Sequence, residues 1–359
     1  MTTSETQEDI RLELVDDNDC KKAYQEVADR LGHLGKEEAD KTAEEIINRS
    51  TSKGSESWRI GYYVARWMLD EHNDPSCALR LLGAKKHGCY EKATHLVYNI
   101  SNLSLPPGSR ARLYTASLYA AGKTLNASLM QDVLTRSAVA EQAIDELDPN
   151  CNDPGSNKSV RRLSLDLAKI NIYMQLNDFK QVALLARSTA STAQPIRHFE
   201  DCQRGATGIV SLQSLIKIWS LIFADEILSG DIKAADKSQA KITRCSLALC
   251  RCWQGRIRKR RELPYMVEGL VPMHLTLISR QALRGIQTQG MEPSLIATAA
   301  LSLMSFAFRP EGPRQRVETT EFLIRNYIAD KLSIDSSTIP EDTALLISGR
   351  MSGDFISAY

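Results

Sequence analysis

The chain has 359 residues, of which 43% are hydrophobic and 25% charged, an ordinary globular mixture that excludes wholesale disorder and leaves ample material for a core. Its formal net charge of +1 gives, as an average, no reason to expect nucleic acid or a membrane as partner. The average conceals a gradient: residues 1–49 carry fourteen acids against seven Lys or Arg, a balance of −7, which leaves +8 for the remainder.

Aromatics make up only 6% of the chain, and the Ala, Leu, Ile, Lys, Arg and Glu that supply its bulk favour helices over sheets. The opening stretch, MTTSETQEDIRLEL, is acidic and lacks the basic start and apolar core of a signal peptide, so a cytoplasmic protein is expected, with residues 1–18 as an acidic flexible tail. Eight cysteines scattered through so long a chain argue against a disulfide framework. Behind Asp19 as N-cap, Ala23, Val27, Ala28 and Leu31 form one helical stripe, which Gly32 and Gly35 end. Residues 36–50 repeat the pattern with Ala39, Ala43, Ile46 and Ile47 and carry their acids early, where the helix dipole favours them. These two segments are predicted to form a hairpin.

From Ser55, the residues Trp58, Tyr62, Ala65 and Leu69 recur at the spacing of a core-facing helix. Asp74-Pro75 restarts the chain into two short helices divided by Gly88. Pro106-Pro107-Gly108 then introduces a helix over 109–123, and a longer one runs from Asn126 to about Leu147. DPNCNDPGSNKS (148–159) is the candidate linker between an N-terminal helical domain over 19–147 and a C-terminal helical-repeat domain over 160–335. The latter begins with a helix pair that Gln194-Pro195 closes and continues as helices over 208–229, 231–254, 264–288, 293–308 and 313–332. Residues 336–359 read as a tail or docking arm. The apolar run 296–308 is short of the roughly 20 residues that span a bilayer, and Lys217 and Asp225 interrupt the run 214–228, so no membrane segment is predicted. Nowhere do apolar and polar residues alternate long enough to require a strand.

Internal echoes run through these helices. Gly88-Cys89-Tyr90-Glu91-Lys92-Ala93, Asn177-Asp178-Phe179-Lys180-Gln181-Val182 and Gly230-Asp231-Ile232-Lys233-Ala234-Ala235 share a small or polar turn, a bulky apolar residue and a helix opening in a small or branched one. Leu34 to Ala39 is a fainter fourth. This resembles the tetratricopeptide helix–turn–helix over about half the chain, although the echoes are not spaced at multiples of its repeat length. The resemblance implies close packing of a Tyr-like residue late in the first helix (Tyr173, Phe223) with an alanine early in the second (Ala183, Ala235). The expected fold is all-α, an array of antiparallel helical hairpins, either a tetratricopeptide-like solenoid or a two-lobed helical protein.

No combination of residues carries a recognisable chemistry. Ala121-Gly122-Lys123-Thr124 ends like a phosphate-binding loop, but Ser117 stands where its first glycine belongs and a helix precedes it. Cys77, His87, Cys89 and His95 do not have zinc-ligand spacing. Cys245, Cys250 and Cys252 read as buried small side chains. No enzyme activity, cofactor or metal is predicted. The sharpest feature is a run without acids holding Arg244, Arg251, Arg256, Arg258, Lys259, Arg260 and Arg261, with Trp253 among them. It has the makings of a polyanion patch with a stacking aromatic, and 256–261 also resembles a nuclear-import signal; a solvated turn is the plainer reading. Two functions are consistent with these features. One is a non-enzymatic scaffold that holds a protein partner in the groove of a helical array. The alternative is a viral nucleoprotein-like, self-associating RNA-binding protein with the basic segment between two lobes.

Overall fold

Capping chemistry sets where the helices start. In the computed structural model, which describes residues 18–52, 55–83, 94, 105–124, 126–151, 153, 156–193, 206–254, 293–308 and 314–339, every regular element is helical. The elements are α1 (Asn18–Gly32), α2 (Lys36–Ser52), α3 (Ser55–His72), α4 (Ser76–Gly83), α5 (Pro107–Ala121), α6 (Ala127–Arg136) and α7 (Ala138–Asp145). Then follow α8 (Lys158–Gln175), α9 (Phe179–Thr192), α10 (Ala206–Leu228), α11 (Ile232–Gln254), α12 (Pro293–Phe308), α13 (Arg314–Leu332) and a short 3-10 turn, Ser336–Thr338. The side chains of Asn126, Asn157 and Asp178 accept from the backbone N–H groups of Leu129, Val160 and Gln181, satisfying donors that helix geometry leaves orphaned. Pro107 sits in the first turn of α5, where its missing N–H costs nothing. The predicted segments 264–288 and 88–93 lie outside the described residues.

Two predicted features differ in detail. The single helix expected from Asn126 to Leu147 is divided into α6 and α7 at Ser137, whose N–H donates to the Leu134 carbonyl, three residues back instead of four. The dihedrals there stay helical, at φ −62° and ψ −16°, so the apolar spacing runs through the step without marking it. The α1–α2 hairpin is also looser than expected, because α2 packs chiefly along α3 and α1 rests on α3 as well. The stripes themselves are where the spacing puts them: Leu31, Ala39, Ala43, Ile47, Ala65 and Leu69 are all buried.

The clearest local order lies in the turns. Asn177 (φ 60°) and Gly230 (φ 71°) both adopt the left-handed conformation. Asp178 N–H then reaches back to the Tyr173 carbonyl at 2.8 Å, and Asp231 N–H to that of Glu226 at 3.0 Å. These are two copies of one C-terminal capping motif. In each the next residue is an aspartate whose carboxylate caps the following helix, Asp178 on Gln181 N–H and Asp231 on Ala234 N–H. Ser333 (φ 54°) closes α13 in the same way, with Ile334 N–H on the Ala329 carbonyl. The shared register corrects one assignment: the counterpart of Ala235 is Val182, buried like it, and not Ala183. Likewise Ile170 matches Phe223, while Tyr173 matches the buried Glu226.

Since Gly230 has nothing within 4 Å of where a Cβ would stand, Gly230→Ala is expected to cost only the backbone strain, about 1 kcal/mol. Urea unfolding should show it as a lower midpoint with an unchanged slope. Gly230→Asn should recover most of the loss, as Asn177 does the same task.

Helices pack in sequence: α8 on α9, α9 on α10, α8 on α10 and α10 on α11, with α5 against α7 and α8 on the preceding side. The row does not simply continue. α13 returns to α8 and α10, where Tyr327 stacks on Phe179 with ring centroids 4.1 Å apart and donates to Asp225 Oδ1 at 3.1 Å. Asp225 Oδ2 in turn takes Arg187 at 2.6 Å.

Two cores result, and α8 serves both. Its Leu163, Leu167, Ile170 and Met174 join the core built with α9 to α13, while Leu165, Ala168 and Ile172 join the one built with α1 to α7. The loop before α8 is pinned by Asn157, whose amide donates to the carbonyls of Pro149 and Cys151. α10 is the one helix, among the described residues, long and apolar enough to cross a membrane by length and composition, and 72% of its apolar window is buried against neighbouring helices.

Candidate functional site

Helix α11 has two unlike faces. Ala235, Ile242, Cys245, Ala248 and Leu249 are buried in the core shared with α10. On the other side Lys233, Lys237, Lys241, Arg244 and Arg251 are exposed. At 3.6 residues per turn these five cations fall within roughly a quarter of the helix circumference and extend along about 27 Å of its axis. The only acid within the helix, Asp236, is partly buried. Lys241 stands over the Trp219 ring of α10 at 6.0 Å, and Arg251 points back along its own helix to the Leu247 carbonyl at 3.4 Å. No acidic side chain pairs with Lys233, Lys237 or Arg244 among the described residues. The stripe also contains Ala240 and Leu247, the latter 47% exposed.

Of the residues singled out in the sequence, Arg244 and Arg251 therefore share a face. Trp253 belongs to α11, but its side chain lies outside the described residues, as do the side chains of Cys250 and Cys252. Arg256, Arg258, Lys259, Arg260 and Arg261 lie outside them altogether. Lys233, Lys237 and Lys241 were missed. Lys237 and Lys241 stand in the same acid-free stretch, which runs from 237 to 261, but the run was counted only from Arg244; Asp236 separates Lys233 alone from it. Their spacing of four and four was the signal available, since residues so spaced share a helix face.

Among the described residues no other constellation converges. Gly122 and Thr124 serve a helix end: Thr124 Oγ1 donates to the Ala121 carbonyl at 2.7 Å, and a Cβ on Gly122 would stand 2.9 Å from Asn171 Nδ2. Burial pushes the Cys77 thiol up to about 12, which keeps it from the thiolate form that binds metals. His87, Cys89 and His95 lie outside the described residues, and no metal-holding group of His, Cys, Asp or Glu occurs among those described.

Buried acids bind helices together. Asp166 of α8 accepts from Thr189 Oγ1 of α9 at 2.9 Å, with Arg162 at 3.7 Å. Burial raises its carboxyl above the usual range against the pull of both partners. Glu226 is raised by burial in the same way, despite a hydrogen bond from Ser238. An acid whose folded pKa is raised contributes stability that is fully present below its unfolded pKa and lost as pH rises through the folded one. Asp166→Asn is therefore expected to raise the melting temperature at neutral pH relative to the parent, the gap closing as pH falls below the carboxylate range. Melting curves at several pH values check this.

No family model matches the chain, and no curated protein or solved structure matches it either.

Proposed function

We propose that the chain is a non-enzymatic helical-repeat scaffold that holds a protein partner, built on tetratricopeptide-like hairpins. What supports this reading is the identity of the α8–α9 and α10–α11 turns, down to the left-handed residue and the capping aspartate. Their packing agrees with it: first helix on first helix, and second helix on the next first helix, a nearest-neighbour scheme. Such a stack presents a continuous surface for a peptide or helix without any special residue. The proposal places the protein inside the cell.

Affinity capture followed by cross-link mapping tests it. The reading expects a reproducible partner whose cross-links fall on the first helices of successive hairpins, α5 and α8 among them. Capture of no specific protein, together with a compact scattering profile, overturns it. The RNA-coating alternative draws on the 244–261 cluster, and copurifying RNA in ring-shaped oligomers would put it in place of the scaffold.

A further inference from the structure

We propose that the outer face of α11 is a binding site for the phosphate backbone of a nucleic acid, read without regard to sequence and separate from the partner-binding surface of the scaffold. The site consists of Lys233, Lys237, Lys241, Arg244 and Arg251. It requires neither an RNA-coating role nor the segment beyond residue 254.

Three features of the face select this ligand. First, the cations form a line. Lys233, Lys237 and Lys241 follow one another at about 6 Å of rise, and Arg244 and Arg251 continue the same edge. A linear polyanion can neutralise all five at once, whereas a compact anion meets one or two. Second, three of the five charges have no acidic partner: no carboxylate pairs with Lys233, Lys237 or Arg244 among the described residues, and the helix's only acid is turned partly inward. Lys158 and Lys169, by contrast, are held by Asp145 and Glu141. Third, among the described side chains the face offers little to anchor a protein. Stable protein interfaces draw their affinity from a few buried aromatic or aliphatic residues, and among the described side chains Leu247 is the one large apolar group exposed on α11. Binding to a phosphate backbone needs no such anchor, because its driving force is the release of condensed counterions by lysine and arginine.

Each cation engaged adds a fixed amount to the salt dependence, with a slope of log K against log salt of about −0.7 per charge for a single strand. Five cations predict a slope of about −3.5. The experiment is fluorescence anisotropy of a labelled uridine homopolymer with the full chain, titrated between about 50 and 200 mM salt. Three proteins are compared: the parent, the triple variant Lys233→Ala, Lys237→Ala, Lys241→Ala, and the control Lys41→Ala, Arg49→Ala, Lys180→Ala, which removes the same net charge from α2 and α9.

The parent is expected to bind at low salt. The ridge variant should lose at least about tenfold in affinity and shed about 2 from the slope, with an unchanged melting temperature, and the control should stay close to the parent. Absence of binding at low salt overturns the proposal, as does an equal loss in ridge and control variants. Polyglutamate is the competitor. If it displaces the homopolymer as well as unlabelled RNA does, the face is a site for acidic protein segments and the nucleic-acid assignment falls. None of these outcomes bears on cross-links at α5 and α8, so the scaffold reading stands or falls separately.

Discussion

Phe223→Ala is expected to destabilise the protein by about 3 to 5 kcal/mol, the range for emptying a large aromatic site in a packed core. Phe223 is fully buried in the last third of α10, and α10 is the helix around which α8, α9, α11, α12 and α13 assemble. A site closed within such a core relaxes only in part, so much of the vacated volume persists, and a persistent void carries the larger cost. A domain's entire stability is about 5 to 15 kcal/mol. The variant should therefore show a substantially lower urea midpoint and weakened packing signals, while Phe223→Leu, which keeps most of the volume, should lose less than about 1.5 kcal/mol. A small loss on Phe223→Ala would mean that the assembly around α10 is looser than described.

Tyr327→Ala should have the next largest effect, about 3 kcal/mol. One side chain makes two contacts there: the ring lies flat on Phe179 and the hydroxyl donates to Asp225. Asp225 is mostly buried, at 15% side-chain exposure, and among the described residues keeps only Arg187 as a side-chain partner once the tyrosine is gone. Tyr327→Phe separates the two parts, retaining the stack and losing about 1 kcal/mol for the hydrogen bond. Hydrogen exchange gives the spatial check. Amides of α13 should exchange faster in Tyr327→Ala while those of α2 and α3 keep their rates; uniform acceleration would show that α13 does not open as a local unit.

Much of this architecture was legible in the sequence because helical spacing reports directly on burial. Ala39, Ala43 and Ile47 could be assigned to a core from their positions alone, and Asn126, Asp178 and Asp231 stand where caps belong. What spacing does not report is the partner of a buried face. Nothing in α13 says that Tyr327 meets Phe179, 148 residues earlier in the chain, instead of the helix next to it. Registers slipped where two neighbours were both small or branched, as with Val182 and Ala183. The candidate site was half visible for a similar reason: charges were counted along the chain from Arg244, but α11 displays them along a face that begins at Lys233, and the acid-free stretch just before Arg244 already held Lys237 and Lys241.

The double duty of α8 has a consequence for how the molecule behaves as a whole. It is a party wall: Leu165, Ala168 and Ile172 finish one room, while Leu163, Leu167, Ile170 and Met174 finish the other. Cleaving the chain at 148–159 gives the wall to one tenant, leaving the first fragment open on a side and the second with three apolar residues facing water. Loosening on either side is thus felt on the other, and the halves are expected to melt together.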